Sequence, residues 1–530
     1  MMGRWLGILF LISVLAVAGC GPQAAVPPPE EEVILTYAVQ NDAETMSPNT
    51  HGQRGGGYVV FANLYSALMT LDWGITVGTT HYGDLAETWD VDPTGQLYTF
   101  NLYQNAVWHD GEPVTSADVK YTYERMIDRN YPFSTFLADV KEISTPDEHT
   151  VVIELTEPNV AFLPMMAQAA NWYGKIMPKH VWGDGEWDEG PGMENPIGSG
   201  PFKFAEWEKG SYVVLEAFDD YFRGRADVDK VIVRTMPEAT IVQSEFRAGN
   251  IEWLPNQFSP AFGEIDEYRA DPDVEVVETG SHYNYDVWIN VAHEPLNDPR
   301  VRHAIAYAIN ADEINQLAFS NVWIPCRYAG LPLSQFTNKN VEFPAFDPDR
   351  AEELFEEAGL PRGAGGWRFD LELIEPGFST TTAMAEILVE QFKAVGINAR
   401  WIPTDHTIYG EYLDQKNYQM TIYYTRYGPD PDAYREHFAT GGPRVSNNYS
   451  NPQLDELAAA ARVTTDLDER IRLYGEIQEI IVQDAPIVSI FNEVKVTLVE
   501  TGWTGFAEQE SGFNQSLGWS CVYNVKPPNR

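Results

Sequence analysis

NPIGSGPFKFAEWEKG, residues Asn195–Gly210, is the stretch whose reading decides the fold. Asn195, Pro196, Gly198, Gly200 and Pro201 fall within seven residues. Proline fixes φ and glycine frees it, so this density predicts a tight loop of demanding backbone geometry. Phe202, Phe204 and Trp207 follow. After Gly210 the run SYVVLEAF has the β-branched and aromatic content of a strand. Taken alone, the segment predicts a hairpin corner whose glycines serve the backbone and not a ligand.

Outward from this loop, the chain of 530 residues exceeds what one hydrophobic core covers, so two or three lobes are expected. A hydrophobic content of 44% with 13% aromatic residues excludes a largely disordered chain. The 35 basic and 78 acidic residues leave a net charge of −43. Such a surface repels nucleic acid and anionic lipid alike, and it favours solubility.

The amino terminus carries Arg4, the apolar run WLGILFLISVLAV and then Val17-Ala18-Gly19-Cys20. A charged start, a short apolar core and small residues before a cut predict a secretory leader over residues 1–19. Its ending resembles a bacterial lipobox, which implies that the Cys20 thiol is lipidated and heads the mature chain. Several acyl chains anchor far better than one. Residues 20–32, rich in Pro and Glu, read as a semi-extended tether. No later stretch approaches the roughly 20 apolar residues of a membrane span. Cys326 and Cys521 are the remaining cysteines. The sequence leaves open whether they meet in a disulfide.

Residues 33–39 (VILTYAV) predict a strand, and Phe61, Leu64, Tyr65, Leu68 and Met69 share one face of a predicted helix. Tyr98, Phe100 and Leu102 alternate with polar residues as a half-buried strand. Thr115 with Asp118 predicts an N-cap and a negative first turn, followed by the stripe Val119, Tyr123, Met126 and Ile127. His109-Asp110-Gly111 is a turn, and its His-Asp pair is read as structural. Asp298-Pro299 opens a helix with Val301, Ala304, Ile305, Ala308 and Ile309 inward. Further helices start at Asp347, Asn451 and Asp466, and one carrying Met384, Leu388 and Phe392 ends at Gly396 before the strand INARWI. Helices alternating with short apolar strands predict an α/β lobe.

The opening loop resembles the N-P-V/I-G-T/S-G-P-Y/F-x-F signature of the family 5 solute-binding proteins of ABC importers, a group that binds peptides, nickel or oligosaccharides. LAETWDVDPTGQLYTFNLYQNAVWHDGEPVTSADV, the segment from Tyr221 to Ile251 and DVWINVAHEPLNDPRVRHAIAYAIN resemble further signatures, in family order, from about Val33 to Phe491. The resemblance implies a periplasmic-binding-protein-like α/β fold with two large lobes, a hinge and an inserted smaller subdomain. Residues 33–79, 195–285 and 491–530 would form the main lobe, 80–194 the inserted subdomain, and 286–490 the second lobe.

No hydrolase, zinc-protease, P-loop or dithiol motif is present, and the histidines are dispersed, so no catalytic residue, metal or cofactor is expected. The aromatic strand and Gly-Pro-Asp-Pro loop within YQMTIYYTRYGPDPDAYREHF offer flat faces and fixed charges. Tyr423, Tyr424, Arg426, Tyr427 and Asp430 are therefore the candidate ligand contacts. Peptide-binding members hold the ligand's α-amino group with an Asp three residues before this Asp-Pro; here Tyr427 stands in its place. The expected protein is a monomeric, lipid-anchored, extracytoplasmic receptor that delivers an oligopeptide-like solute to ABC permease subunits. An oligosaccharide is the alternative solute. A secreted glycoside or peptide hydrolase using the same groove is the competing class.

Overall fold

Apolar runs of β-branched and aromatic residues become strands wherever turn residues bound them. In chain order these are β1 (Ile34–Val39), β2 (Met69–Leu71), β3 (His81–Gly83), β4 (Ala86–Val91), β5 (Leu97–Leu102), β6 (Val140–Asp147), β7 (Thr150–Leu155), β8 (Phe202–Glu208), β9 (Tyr212–Ala217), β10 (Lys230–Thr235), β11 (Trp253–Leu254), β12 (Val274–Ile289), β13 (Ile324–Pro325), β14 (Phe369–Glu375), β15 (Ile397–Pro403), β16 (Met420–Arg426) and β17 (Ile487–Glu500). The computed structural model describes residues 32–49, 56–71, 81–170, 173–187, 193, 195–330, 332, 334–428, 430–506 and 521–528. The leader, Cys20 and nearly all of the tether lie outside the described residues.

An eleven-stranded sheet runs in the order β15-β14-β16-β12-β17-β11-β1-β10-β9-β8, with β13 beside β17. At one end β14 and β15 are parallel, joined over the helix Ser379–Ala394, whose Met384, Leu388 and Phe392 are buried. At the other end β8, β9 and β10 form antiparallel pairs and β1 lies parallel to β10. A separate antiparallel sheet, β4-β5-β7-β6, belongs to the inserted segment.

Buried side chains divide differently from the sheets. One core joins Leu35, Tyr37, Phe61 and Leu64 with Trp108, Tyr123 and Ile153 of the inserted segment, and takes in Trp503 and Val522 of the tail. A second core contains Val287, Trp288, Ile305, Leu388, Ile422 and Ile481. β12 and β17 cross between them. Val274–Gly280 pairs with Glu500–Val494, and Asn284–Trp288 pairs with Asn492–Ile487, with the register broken between Gly280 and Asn284. An irregular ladder of this kind bends and twists its strands locally.

The caps at Asp298, Asp347, Asn451 and Asp466 are present, each accepting backbone N–H groups of its first turn. Asp118 accepts from both the N–H and the hydroxyl of Thr115, at 2.9 Å each. Two expectations change. The helix predicted from Phe61 through Met69 is Gly56–Leu64, and Met69 begins β2. The Leu64 carbonyl, which would accept from Leu68 in a continuing helix, instead accepts from Gly200 N–H at 2.9 Å. Ile127 is 40% exposed, outside the buried stripe of its helix. Cys326 and Cys521 are both free.

The Asn195–Pro201 loop is thus wedged against a helix end. A Cβ on Gly198 would lie 1.8 Å from Leu64 O, and one on Gly200 would lie 2.4 Å from Asn63 O. His109 clamps the loop from the other side: its Nδ1 accepts from Gly198 N–H at 3.2 Å and its Nε2 meets Gly200 O at 3.0 Å. That pairing selects the neutral tautomer with the proton on Nε2. Burial lowers the His109 pKa to about 4.

Candidate ligand-binding site

β16 lies between β14 and β12, but β14 pairs with it only at Met420 and Thr421. The tyrosines beyond that point are at a less covered edge. Tyr423 and Tyr424 are half-buried and stacked, with centroids 5.0 Å apart. Tyr424 meets Tyr283 of β12 edge-on at 5.2 Å and lies 6.2 Å from Tyr285. Tyr283 packs on the first core and Tyr424 on the second, so this contact spans the junction. Arg426 is in register with Tyr283; its side chain lies outside the described residues.

Tyr427 and Asp430 have other surroundings. Tyr427 is 3% exposed and packs 5.2 Å from Tyr434 within the second core. Asp430 is buried against Arg470, whose Nη1 and Nη2 donate to its two oxygens at 3.0 and 2.9 Å, while Nε donates to Ala461 O at 3.0 Å. The helix Ala433–Phe438 and the ring of Tyr434 close over this loop. A sequence run of tyrosines and prolines does not distinguish such a covered loop from an open one.

Behind Tyr427 sits a polar cluster that the sequence reading passes over. Asp286 of β12 has no exposed surface and is in register with Ser489 and Tyr423. Neither carboxyl oxygen has a partner in hydrogen-bonding geometry, and the same holds for the hydroxyls of Ser489 and Tyr427. Burial raises the Asp286 pKa to about 8, and the neighbouring Thr425 and Ser489 hydroxyls oppose this only in part. Burial likewise raises the Tyr427 phenol and pushes Cys326 up to about 12. Burial thus favours the uncharged form of every group in the cluster. Its one signal in the sequence was an Asp inside the apolar run DVWIN.

On β17, opposite the break in the ladder, Lys495 donates to Glu493 at 2.6 Å, and both side chains are largely buried. Among the described residues no cluster of His, Cys, Asp or Glu could hold a metal ion. Nor is any helix among them long and apolar enough to cross a membrane. What the site offers is aromatic surface and backbone polarity at a junction, a chemistry of binding.

Residues 80–445 match the model of bacterial extracellular solute-binding proteins, family 5 Middle, and the chain belongs to that family. The dipeptide-binding protein of Escherichia coli K12 is 26% identical over 446 residues, covering 78% of this chain and 81% of the relative. Di/tripeptide-binding protein 1 of Pseudomonas aeruginosa is 26% identical over 448 residues, with the same shares of 78% and 81%. Among solved structures, the ABC transporter substrate-binding protein CtaP of Listeria monocytogenes superposes with a TM-score of 0.81 at 24% identity, covering 94% of this chain and 100% of that one. The α/β, periplasmic-binding-protein-like architecture is therefore shared, and these relatives are substrate-binding proteins, not enzymes.

Proposed function

We propose that the protein is the solute-binding receptor of an ABC importer, which captures a peptide between its lobes by hinge closure and delivers it to permease subunits. The observation that carries this reading is the Tyr283–Tyr424 contact at 5.2 Å, an aromatic contact between a ring packed on one core and a ring packed on the other. A solute that touches both sides of this junction binds the closed arrangement better than the open one, and only such a difference drives closure. β12 and β17, with their ladder interrupted between Gly280 and Asn284, supply the turning point. The names of the E. coli and Pseudomonas relatives support a peptide.

Tyr423, Tyr424 and Arg426 are the contacts we assign, with Tyr427 and Asp430 supporting them from beneath. A second reading, an oligosaccharide, is favoured by Tyr427 standing where the resemblance places a carboxylate. The receptor acts as a monomer, held outside the cytoplasm by lipid on Cys20. Calorimetry of the full lipidated protein in detergent, against a pool of short peptides and a pool of oligosaccharides, tests this. Heat of binding is expected with peptides alone. Binding of oligosaccharides alone would overturn the peptide assignment, and hydrolysis of either pool by the pure protein would overturn the receptor reading.

A further inference from the structure

We propose that the inserted segment works as a closure latch on the second lobe, with Asp139 and Arg462 as its fastening. Asp139 precedes β6, and its Oδ2 pairs with Arg462 Nη2 at the end of the helix Pro452–Val463. Asn159 Nδ2 donates to the same oxygen at 2.8 Å, and Tyr98 OH donates to Asn159 O at 2.7 Å. One residue on, Val160 N–H donates to Arg462 O at 3.0 Å. Arg462 is thus gripped twice, by side chain and by backbone, with Asp139 323 residues away in sequence.

The two sides of this grip pack on different cores. Tyr98 shares the core of the main lobe, whereas the helix carrying Arg462 contributes Leu454, Ala458 and Ala461 to the other core. A crevice of about 400 Å³ opens beside the pair, with Tyr98, Leu163 and Pro164 on one wall and Phe336, Leu467 and Arg470 on the other. A polar point contact beside a crevice parts cleanly, whereas a packed interface does not. The covalent connection between the bodies runs elsewhere, through β12 and β17. A rotation about those strands makes or breaks the Arg462 contacts, so they bias the open–closed equilibrium without touching a solute. This inference rests on the hinge closure proposed above.

The test uses the full-length protein with spin labels at Glu142→Cys and Glu456→Cys, on exposed faces of the two bodies, and with Cys326 and Cys521 replaced by Ala. Pulsed electron spin resonance reads the distance distribution without added solute and with the peptide pool. Asp139→Ala is expected to lower the closed-to-open ratio of the solute-free protein about two- to five-fold, the range a part-exposed ion pair supplies. The double exchange Asp139→Arg with Arg462→Asp should recover most of it. Thermal melts of each variant establish that the fold is intact. If the wild type shortens with peptide while Asp139→Ala keeps the wild-type distribution, the latch is overturned and the receptor reading stands. If Asp139→Ala opens while peptide moves nothing, the latch stands and peptide-driven closure is overturned. A single fixed distance in every sample overturns both.

Discussion

Asp286 stands in register with Ser489 and Tyr423, with no exposed surface and a carboxyl pushed up to about 8 by burial. Between about pH 4 and pH 8 the folded chain holds a proton there that the unfolded chain has released. The stability contributed by the neutral form is complete at low pH and is lost as pH rises through that window. His109 has the opposite sign. Its folded pKa of about 4 lies below the usual histidine value, so the unfolded chain binds the extra proton and stability is lost as pH falls from about 6.5 towards 4. Asp286→Asn keeps the shape and removes the titration. At pH 8 and above it should raise the free energy of unfolding by roughly 2–5 kcal/mol, and near pH 4 by much less. Urea unfolding of both proteins from pH 4 to pH 9 checks this; parallel curves would show that Asp286 is ionised and paired in the fold. The contrast with the tyrosines explains what was legible at this scale. Residue types alone named Tyr423, Tyr424, Arg426, Tyr427 and Asp430 alike, without separating the half-buried rings from the covered ones. The pairing of Asp430 with Arg470 and the isolation of Asp286 depend on neighbours 40 or more positions away, and the covering of Tyr427 depends on how the following helix folds back over it, none of which a local pattern carries.

Elements were legible where their signals are local. Asp298, Asp347, Asn451 and Asp466 begin helices because a short polar side chain, followed closely by apolar periodicity, is a self-contained instruction. The helix at Gly56–Leu64 was over-extended because its stop is supplied by a loop more than 130 residues later. Likewise, the lobe boundaries expected at 286 and 491 fall inside β12 and β17, since a strand crossing between two cores shows no break in composition. The Asn195–Pro201 loop shows how tightly such a distant stop is built. Gly198 and Gly200 are required for close approach of backbone to backbone, and neither Asn63 O nor Leu64 O can swing away as a side-chain tip would. Gly200→Ala and Gly198→Ala should each destabilise the fold by about 1–3 kcal/mol through overpacking. Gly410 is the control: it lies in the helix His406–Asp414 with open space at its Cβ position, so Gly410→Ala should be neutral or stabilising by up to about 1 kcal/mol. Equal melting temperatures for Gly200→Ala and the wild type would mean that the loop is not pressed against the helix end.

At the scale of the whole molecule, the charge of −43 constrains how the receptor can stay at a membrane. With 78 acidic against 35 basic residues, the chain as a whole is repelled by anionic lipid, which argues against electrostatic attachment through the protein body. High salt screens charges separated by more than a few ångströms and leaves acyl-chain insertion intact. Retention in high salt therefore separates the two modes of attachment. Cys20 lies outside the described residues, and the lipid expected on it is the one strong anchor the sequence offers. Cys20→Ser removes the thiol that carries the acyl groups and leaves the cores, the junction tyrosines and the Asp139–Arg462 contact unchanged. The wild type should sediment with membranes in high salt, whereas Cys20→Ser should be released into the soluble fraction. The released protein should keep its affinity for the peptide pool within about two-fold, because anchor and site share no group. If Cys20→Ser still sediments fully with membranes in high salt, the lipid anchor is disproved and attachment has to come from the folded body or from an uncut leader.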